Sequence, residues 1–364
     1  MSDPAHYALL LARGQVVNHY QPIISLRSGK VLGVETLARL VDGSNLIQPA
    51  MFLPCLSTDA LGDLLFASLP NGLATLAACD RIYPGLFMSF NVSPSVMLRR
   101  GFLDTLLKTL SLHRTDADRI TLEVLEDAEF PNPRAARELF EELRTAGIGI
   151  ALDDVGSGYS SLNRLRELSV DKIKLDQAFV RELQRAPEGL HFVSAMLSLA
   201  RGLHKPLIVE GVETTEIMQA LGVLGVEGAQ GYAIARPMPE AALMEWLGGR
   251  KAAPASREPC SLLGAYAAHL SIVEACRALQ NQPLKFSWSD NVRNPHACSI
   301  GRYFDGNGLH ETAFGWAHKR FHEIIDQSDL DPAAWEQAAT ELWRRLQEAI
   351  TTQAAESREA MLTI

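Results

Sequence analysis

Short apolar runs alternate with longer amphipathic stretches along the chain as far as Gly249. Stretches such as Arg134–Ala146 and Phe192–Leu203 carry apolar residues at helical spacing, so they predict helices. The short runs are rich in β-branched residues and predict eight strands: Val17–Leu26, Val31–Leu40, Leu86–Val92, Ile120–Leu125, Ile148–Leu152, Lys172–Leu175, Pro206–Val209 and Ala229–Ala233. Strands joined by helical connections in this way are typical of a TIM-like β/α barrel.

The connection between the first two predicted strands departs from that scheme. Only the segment Arg27–Lys30 lies between them, and it is too short for the crossover that parallel strands need. The sequence therefore predicts an α/β fold, an irregular (β/α)8 TIM-like barrel whose first strand pair is antiparallel.

The pattern changes after residue 248. Residues 249–260 are rich in Gly, Ala and Pro and are predicted to be a linker. Only helical patterns follow: Leu262–Leu279, Ala297–Phe304, Glu311–Asp326 and Pro332–Ala354. We therefore expect a barrel domain over residues 1–248 and a small all-α helical bundle over residues 261–364.

Composition narrows the function classes. The 364 residues carry a net charge of -9, which argues against sequence-independent binding to DNA or RNA. Five scattered cysteines suit reduced thiols or a metal ligand better than a disulfide framework. The sequence shows no apolar run of membrane-spanning length and no basic segment followed by an apolar one at its start. We expect a cytoplasmic protein that does not bind membranes.

Acidic and amide side chains cluster at the ends of the predicted strands. Asp153 and Asp154 are adjacent, and two neighbouring carboxylates repel each other unless a cation lies between them. Alone, the pair would more often be an Asp-rich turn before a helix. Other polar residues on these strands or just after them favour a shared site at the barrel mouth: Glu35, Asn91, Glu123, Lys174, Asp176, Glu210, Glu213 and Gln230. Hard oxygen ligands suit Mg²⁺ or Mn²⁺, and two such cations suit phosphoester hydrolysis.

From Tyr20 to Pro239 the chain resembles an EAL domain, the cyclic di-GMP phosphodiesterase fold. The order and spacing of several motifs carry the resemblance: Tyr20–Ile23, Glu35–Arg39, Asn91–Ser93, Glu123–Glu126, Asp153–Leu162, Lys174–Asp176, Glu210–Thr214 and Gln230–Tyr232. The tripeptide Glu35-Thr36-Leu37 stands where the family has Glu-Ala-Leu, and its middle residue is not a ligand there. The resemblance implies hydrolysis of cyclic di-GMP to linear 5′-pGpG.

The same resemblance implies roles for individual residues. One Mg²⁺ or Mn²⁺ would be held by Glu35, Asn91, Glu123 and Asp153, and the second by Asp153, Asp154 and Glu210. Lys174 would contact the attacking water. The residues implied to bind substrate are Gln21, Leu37, Arg39, Asp176, Gln230 and Pro237. The residues implied to form a regulatory loop at a dimer interface are Glu126, Gly156, Ser157 and Gly158. A homodimer is therefore expected.

Histidines concentrate in the C-terminal helices. His318 and His322 are four residues apart, so both imidazoles lie on one helix face and can share a metal ion, although such a pair is more often an exposed helix face. His269 and Cys298 belong to the two preceding helical patterns, and three imidazoles with one thiolate suit zinc. His296 and His310 are predicted to be loop residues.

From Gly264 to Glu323 the chain resembles a CZB (chemoreceptor zinc-binding) domain. The matching features are His269, Cys298–Gly306 and His318–His322, with Tyr303 where Trp is usual. The resemblance implies one Zn²⁺ bound by His269, Cys298, His318 and His322. Because oxidation would remove a thiolate ligand, Cys298 is also a candidate redox sensor.

Three functional hypotheses remain open from the sequence. In the first, the chain hydrolyses cyclic di-GMP at a rate set by zinc or by oxidation of Cys298. In the second, it is a receptor that binds the nucleotide without hydrolysis. In the third, the hydrolase is active and the zinc domain serves only folding or dimerisation. All the ligand residues implied by the resemblance are present, which favours hydrolysis over binding alone.

Overall fold

The computed structural model describes residues 4–125, 130, 132–156, 165, 168–280, 294–325 and 331–362. Its strands are β1 Val16–Ser25, β2 Val31–Asp42, β3 Asn45–Ile47, β4 Phe87–Asn91, β5 Ile120–Leu125, β6 Gly149–Val155, β7 Lys172–Leu175, β8 Leu207–Val209 and β9 Gly228–Ala229. Its helices before residue 254 are α1 Pro4–Ala12, α2 Pro49–Phe52, α3 Thr58–Cys79, α4 Pro94–Met97, α5 Phe102–Leu112, α6 Pro133–Thr145, α7 Gly189–Gly202, α8 Thr215–Leu224 and α9 Glu240–Gly249. The later helices are α10 Leu262–Gln280, α11 Ser299–Asn307, α12 Ala313–Ile325 and α13 Pro332–Leu362.

Eight of the strands close into a barrel. Their order is β1-β9-β8-β7-β6-β5-β4-β2, and pairing between β1 and β2 completes the ring, while β3 extends β2 outside it. Strand β1 runs antiparallel to both β2 and β9, and the other barrel pairs are parallel. The predicted irregular barrel with an antiparallel first pair is therefore confirmed. The reversal occurs at Gly29, whose φ of 71° is readily adopted by glycine.

The strand boundaries differ from the sequence prediction at two places that matter for the site. Strand β6 continues through Asp153 and Asp154 to Val155, so both carboxylates belong to the strand itself. Strand β9 is shorter than predicted, because the amides of Ile234 and Ala235 both donate to the carbonyl of Gly231 and turn the chain. Helix α1 and strand β3 were not predicted from the hydrophobic pattern.

The chain divides into two compact units. The first contains Met1–Gln177, Ala200–Gly211 and Gly228–Ala253, and the second contains Ala178–Leu199, Val212–Glu227 and Pro254–Ile364. The first unit holds the barrel strands. The second holds the C-terminal helices together with α8 and most of α7. The domain boundaries at residues 248 and 260 stay a prediction.

The second unit has its own apolar core, as a helical bundle requires. Side chains from α10, α12 and α13 form it: Val273, Cys276, Phe321, Ile324, Ile325, Trp335, Ala338 and Ala339. Trp335 is fully buried at its centre. The predicted all-α character after residue 260 is confirmed for the described residues, and all five cysteines of the chain are free thiols.

Helix α3 corrects the expectation that the chain has no apolar stretch of membrane-spanning length. It is 22 residues long and, among the described residues, it is the one helix apolar enough to cross a bilayer by length and composition. Half of its most apolar window is buried inside the protein, and a buried core helix passes the same test.

Replacing Gly211 by alanine tests a close approach beside the site. Gly211 has a φ of 66°, and an added Cβ would lie 2.3 Å from Cβ of Gln177. We expect a loss of about 1 kcal/mol from the backbone and about 1–3 kcal/mol more from the overlap. Urea unfolding at equilibrium measures the difference.

Gly85→Ala is the matched control for Gly211→Ala. Gly85 has a φ of 86°, but an added Cβ there meets nothing within 4 Å. The control therefore carries only the backbone cost. Equal losses of stability in the two variants would contradict the overlap.

Candidate active site

A bulge in β6 explains how two adjacent aspartates can serve one site. Leu152 pairs with Ile173 and Val155 pairs with Leu175, so β6 has one residue more than β7 across this step. Asp154 takes a φ of 55°, a left-handed conformation that aspartate adopts more readily than most residues. In a regular strand Asp153 and Asp154 would point to opposite faces. With the bulge, carboxylate oxygens of both lie within 4.8 Å of an oxygen of Glu210 and of each other.

A second group of carboxylates shares Asp153 with the first. Oxygens of Glu35 on β2, Glu123 on β5 and Asp153 on β6 also lie within 4.8 Å of one another, and all three residues are buried. Parallel register aligns these strands, since Glu123 pairs with both Asn91 on β4 and Ala151 on β6. We call the five acidic residues of the two groups, together with Lys174, the carboxylate site.

Lys174 lies at the centre of the carboxylate site. Its Nζ is 2.5 Å from Glu210, 2.8 Å from Glu123, 3.1 Å from Asp153 and 3.6 Å from Glu35. The side chain is only 1% exposed. A buried ammonium is stable only where opposite charges surround it. Lys174 is therefore the fixed positive charge around which the carboxylates assemble.

The pKa values reflect this crowding. Burial opposes the charge of Lys174, but Asp153, Glu123 and the other carboxylates outweigh it and raise its pKa well above the ordinary value. Burial raises the pKa of Glu210 to about 8 despite Lys174, and burial together with the charge of Asp153 raises the pKa of Asp154 to about 7. Full ionisation of the five carboxylates would therefore leave more negative charge than one lysine can balance.

Glu35 is the exception, and neutral amides explain why. Burial opposes its ionisation, but Lys174 and hydrogen bonds from amide side chains lower its pKa. Asn91 Nδ2 donates to one carboxylate oxygen at 2.8 Å, and Gln230 Nε2 donates to the other at 2.7 Å. Gln230 Nε2 also lies 3.2 Å from Oε1 of Gln21, whose own amide donates to the carbonyl of Ala235. These contacts fix the orientation of Glu35.

An apolar cavity of about 340 Å³ lies beside the carboxylates. Asn91 and Glu123 line it on the polar side, and Leu37, Phe52 and Leu53 line it on the apolar side. The sequence prediction missed Phe52 and Leu53, which belong to no motif. The feature of the sequence that could have indicated them is the apolar segment just after β3.

The remaining predicted substrate-binding residues lie in the same unit. Arg39 on β2 is buried, and its guanidinium donates to the carbonyl of Ala38 at 2.9 Å. Asp176 follows β7, and its amide lies 3.3 Å from the carbonyl of Val155. Pro237 precedes Met238, which exchanges backbone hydrogen bonds with Tyr20 on β1.

The predicted regulatory loop is described only at one end. Gly156 follows β6 with a φ of 102°, a conformation that favours glycine. Glu126, Ser157 and Gly158 lie outside the described residues.

The second unit contains a buried group of metal-ligand side chains, which we call the buried Cys/His cluster: Cys298, His318 and His322. Ligand atoms of all three lie within 4.8 Å of one another. Sγ of Cys298 is 3.2 Å from Nε2 of His318, which is 3.1 Å from Nε2 of His322. Burial lowers the pKa of His318 to about 2, so its imidazole is neutral and has a lone pair for a metal ion.

His269 is not part of that group of three. Its ring is fully buried and stacks edge-on against Phe321 with the ring centroids 4.8 Å apart. Nε2 lies 3.0 Å from the carbonyl of Ala339, which can only accept, so the proton is on Nε2. Nδ1 therefore carries the lone pair, and it is buried without a hydrogen-bond partner among the residues that the structure describes.

Comparisons with known proteins identify the family of the chain. The EAL domain family matches residues 6–237. Cyclic di-GMP phosphodiesterase RocR of Pseudomonas aeruginosa is 35% identical over 241 residues, which are 66% of this chain and 62% of that protein. Cyclic di-GMP phosphodiesterase PA2567 of the same organism is 34% identical over 230 residues, 63% of this chain and 39% of that protein. The chain thus spans 62% or less of the length of these two relatives.

A solved structure is similar as well. The crystallised phosphodiesterase MucR of Pseudomonas aeruginosa, in complex with cyclic di-GMP, superposes with a TM-score of 0.60 at 31% sequence identity. The match covers 66% of this chain and 99% of that one.

Replacing Lys174 by methionine tests its role as the central positive charge. Removing one partner of a buried ion pair costs about 3–5 kcal/mol, so we expect a loss of that size in chelator-treated protein. Because the variant site is more negative, added Mg²⁺ should raise its Tm by more than it raises that of the wild type. Thermal unfolding with and without Mg²⁺ measures both effects.

Lys172→Met is the matched control on the same strand. Lys172 donates to Thr121 Oγ1 at 2.7 Å, outside the carboxylate site, so its loss should cost about 1 kcal/mol. Its response to Mg²⁺ should equal that of the wild type. A Lys174→Met variant that behaves like this control would contradict the assigned role.

Proposed function

The chain belongs to the EAL domain family, and on that premise we propose that it hydrolyses cyclic di-GMP to linear 5′-pGpG at the carboxylate site. The observation that carries the proposal is the arrangement of two carboxylate groups that share Asp153 around a buried Lys174. The two relatives named above as cyclic di-GMP phosphodiesterases support the substrate. The apolar cavity beside Glu123 offers a surface for a base of the dinucleotide.

The donor set fits two hard divalent cations such as Mg²⁺ or Mn²⁺. Glu35, Asn91, Glu123 and Asp153 would hold one of them, and Asp153, Asp154 and Glu210 would hold the other. When bound, such cations neutralise phosphodiester charge and lower the pKa of water. Charge balance supports two cations. Five ionised carboxylates and one ammonium have a net charge of minus four, which two divalent cations would neutralise.

The chain's own residues would contribute orientation and charge. The amides of Asn91 and Gln230 hold Glu35 ionised and in one orientation. The ammonium of Lys174 would orient the attacking water and offset negative charge as the pentavalent transition state forms. The residues that would hold the dinucleotide are Gln21, Leu37, Arg39, Asp176, Gln230 and Pro237. We expect the reaction in the cytoplasm, with the chain as a homodimer and with no nucleic acid or membrane as partner.

Hydrolysis is tested with the full chain, cyclic di-GMP and Mn²⁺ or Mg²⁺, by chromatography of the product. We expect 5′-pGpG to accumulate, and we expect Glu35→Gln to lower the rate by at least about 100-fold, because it removes a charged ligand. Glu142→Gln, at an exposed carboxylate on α6, is the control and should keep the wild-type rate.

The receptor hypothesis gives a different result in the same experiment. A chain that binds cyclic di-GMP in calorimetry yet forms no 5′-pGpG with either cation would be a receptor. That outcome would overturn the proposed hydrolysis.

We also propose that the buried Cys/His cluster binds one Zn²⁺, with His269 as the fourth ligand. Three donors of the right kind already lie within 4.8 Å of one another. The buried, unpartnered Nδ1 of His269 supports its inclusion, since a ligand histidine usually donates its other ring N–H to a carbonyl. Burial raises the pKa of the Cys298 thiol, so the thiolate would form as the metal binds.

Zinc would regulate hydrolysis through the second unit. The ring of His269 contacts Trp343 at 5.2 Å between centroids, and Trp343 contacts His191 on α7 at 4.7 Å. His191 Nε2 is hydrogen-bonded to Tyr266 OH at 3.0 Å. A change in the ring orientation of His269 would therefore reach α7, which follows the strand of Lys174 in the chain. Oxidation of Cys298 would change the hydrolysis rate in the same way, because it would remove one of the zinc ligands. A zinc ion that serves only folding or dimerisation would leave the hydrolysis rate of folded protein unchanged.

Cys298→Ala tests this regulation against Cys276→Ala. Both thiols are buried in the same unit, but Cys276 lies in the apolar core and outside the buried Cys/His cluster. We expect zinc buffers to change the hydrolysis rate of the wild type and of Cys276→Ala, and not that of Cys298→Ala. We also expect Cys298→Ala to weaken zinc binding by at least about 100-fold.

Circular dichroism of chelated protein provides the structural control. If chelation unfolds the C-terminal helices, zinc is needed for folding. Identical rates for the wild type and Cys298→Ala across the whole zinc titration would contradict regulation.

A further inference from the structure

A second group of metal-ligand side chains lies on the surface of the same helical unit. It consists of His296, Asp305 and His310, which we call the surface His/Asp cluster. Nδ1 of His296 is 3.0 Å from Oδ1 of Asp305, and Nε2 of His310 is 2.5 Å from the same oxygen. Ligand atoms of all three lie within 4.8 Å of one another.

The two ends of α11 bring these residues together. Before the helix, the carbonyl of Pro295 packs so closely on Gly301 that an added Cβ would lie 1.7 Å from it, which places His296 against the helix. After the helix, Gly308 takes a φ of 66° and Leu309 donates to the carbonyl of Phe304 at 2.9 Å. The chain therefore reverses and returns His310 to the last turn, where Asp305 lies.

The chemistry of the cluster is that of a transition-metal site. Two imidazoles and one carboxylate are the ligands that divalent Zn, Co, Ni and Cu prefer, and they suit Mg²⁺ poorly. Side-chain exposures of 60%, 45% and 24% for His296, Asp305 and His310 leave the remaining coordination positions open to water.

We infer that the surface His/Asp cluster binds one divalent transition-metal ion, such as Zn²⁺, in exchange with solution. The site shares no residue with the buried Cys/His cluster. A single side chain separates the two, since the ring of Phe304 lies 6.0 Å from the ring of His310 and 5.2 Å from that of His318. The unit would therefore hold two metal ions of different accessibility, and the surface site does not depend on the buried one.

Titration of the metal-free full chain with Co²⁺ and Zn²⁺ tests the inference. Co²⁺ bound to a thiolate gives a sulfur-to-metal charge-transfer band, whereas two imidazoles and a carboxylate do not. We expect His310→Gln and Asp305→Asn each to lose one bound equivalent in calorimetry while that band, where present in the wild type, persists. His113→Gln, at the C-terminal end of α5, is the control and should keep all equivalents.

A second titration, on Cys298→Ala variants, distinguishes the surface His/Asp cluster from the buried Cys/His cluster. In the Cys298→Ala background the charge-transfer band should be missing, and this variant should bind one equivalent more than the double variant Cys298→Ala/His310→Gln, whose carboxylate site is unchanged. If Cys298→Ala and Cys298→Ala/His310→Gln bind the same number of equivalents, or if His310→Gln and Asp305→Asn bind as many equivalents as the wild type, the surface site does not exist. Absence of the band in the wild type would count against the buried site only.

Discussion

The placement of the Lys174 ammonium among four carboxylates, three of them buried, is the interaction on which this end of the barrel depends. At 2.5 to 3.6 Å in an interior of effective dielectric constant near 20, each attraction is worth about 5–7 kcal/mol. Repulsion among the carboxylates is of the same order, so ionisation of all of them needs more positive charge than the lysine supplies. That requirement favours the binding of further cations.

Backbone geometry determines which carboxylates surround Lys174. The β6 bulge lets neighbouring aspartates face one point, and side-chain oxygens of Glu35 and Glu123 lie within 4.8 Å of an oxygen of Asp153 although the three residues are staggered in the strand register. Amide side chains then distinguish Glu35 from the others, because donors to a carboxylate lower its pKa while burial alone raises it. The site is thus held by hydrogen bonds around its edge and by one charge at its centre.

The helical unit uses the same ligand types at two depths. Its buried cluster is almost closed to solvent and includes a cysteine sulfur, so an ion bound there would exchange slowly. Its surface cluster is open and lacks sulfur, so an ion there would exchange readily. The ring of Phe304 contacts a histidine of each cluster, so one side chain packs against both.

The sequence by itself determined the barrel, its antiparallel first pair, the helical C-terminal region and the residue types of both metal-ligand sets. Hydrophobic period, loop length and motif order are local properties, and they can be read without coordinates. Only the tertiary structure decided that Asp154 lies in a bulge, that Lys174 is surrounded by carboxylates, and that His296 and His310 meet at Asp305. Those facts depend on strand register and on how the chain returns past a helix end, and contacts between distant residues have no periodic signal in one sequence.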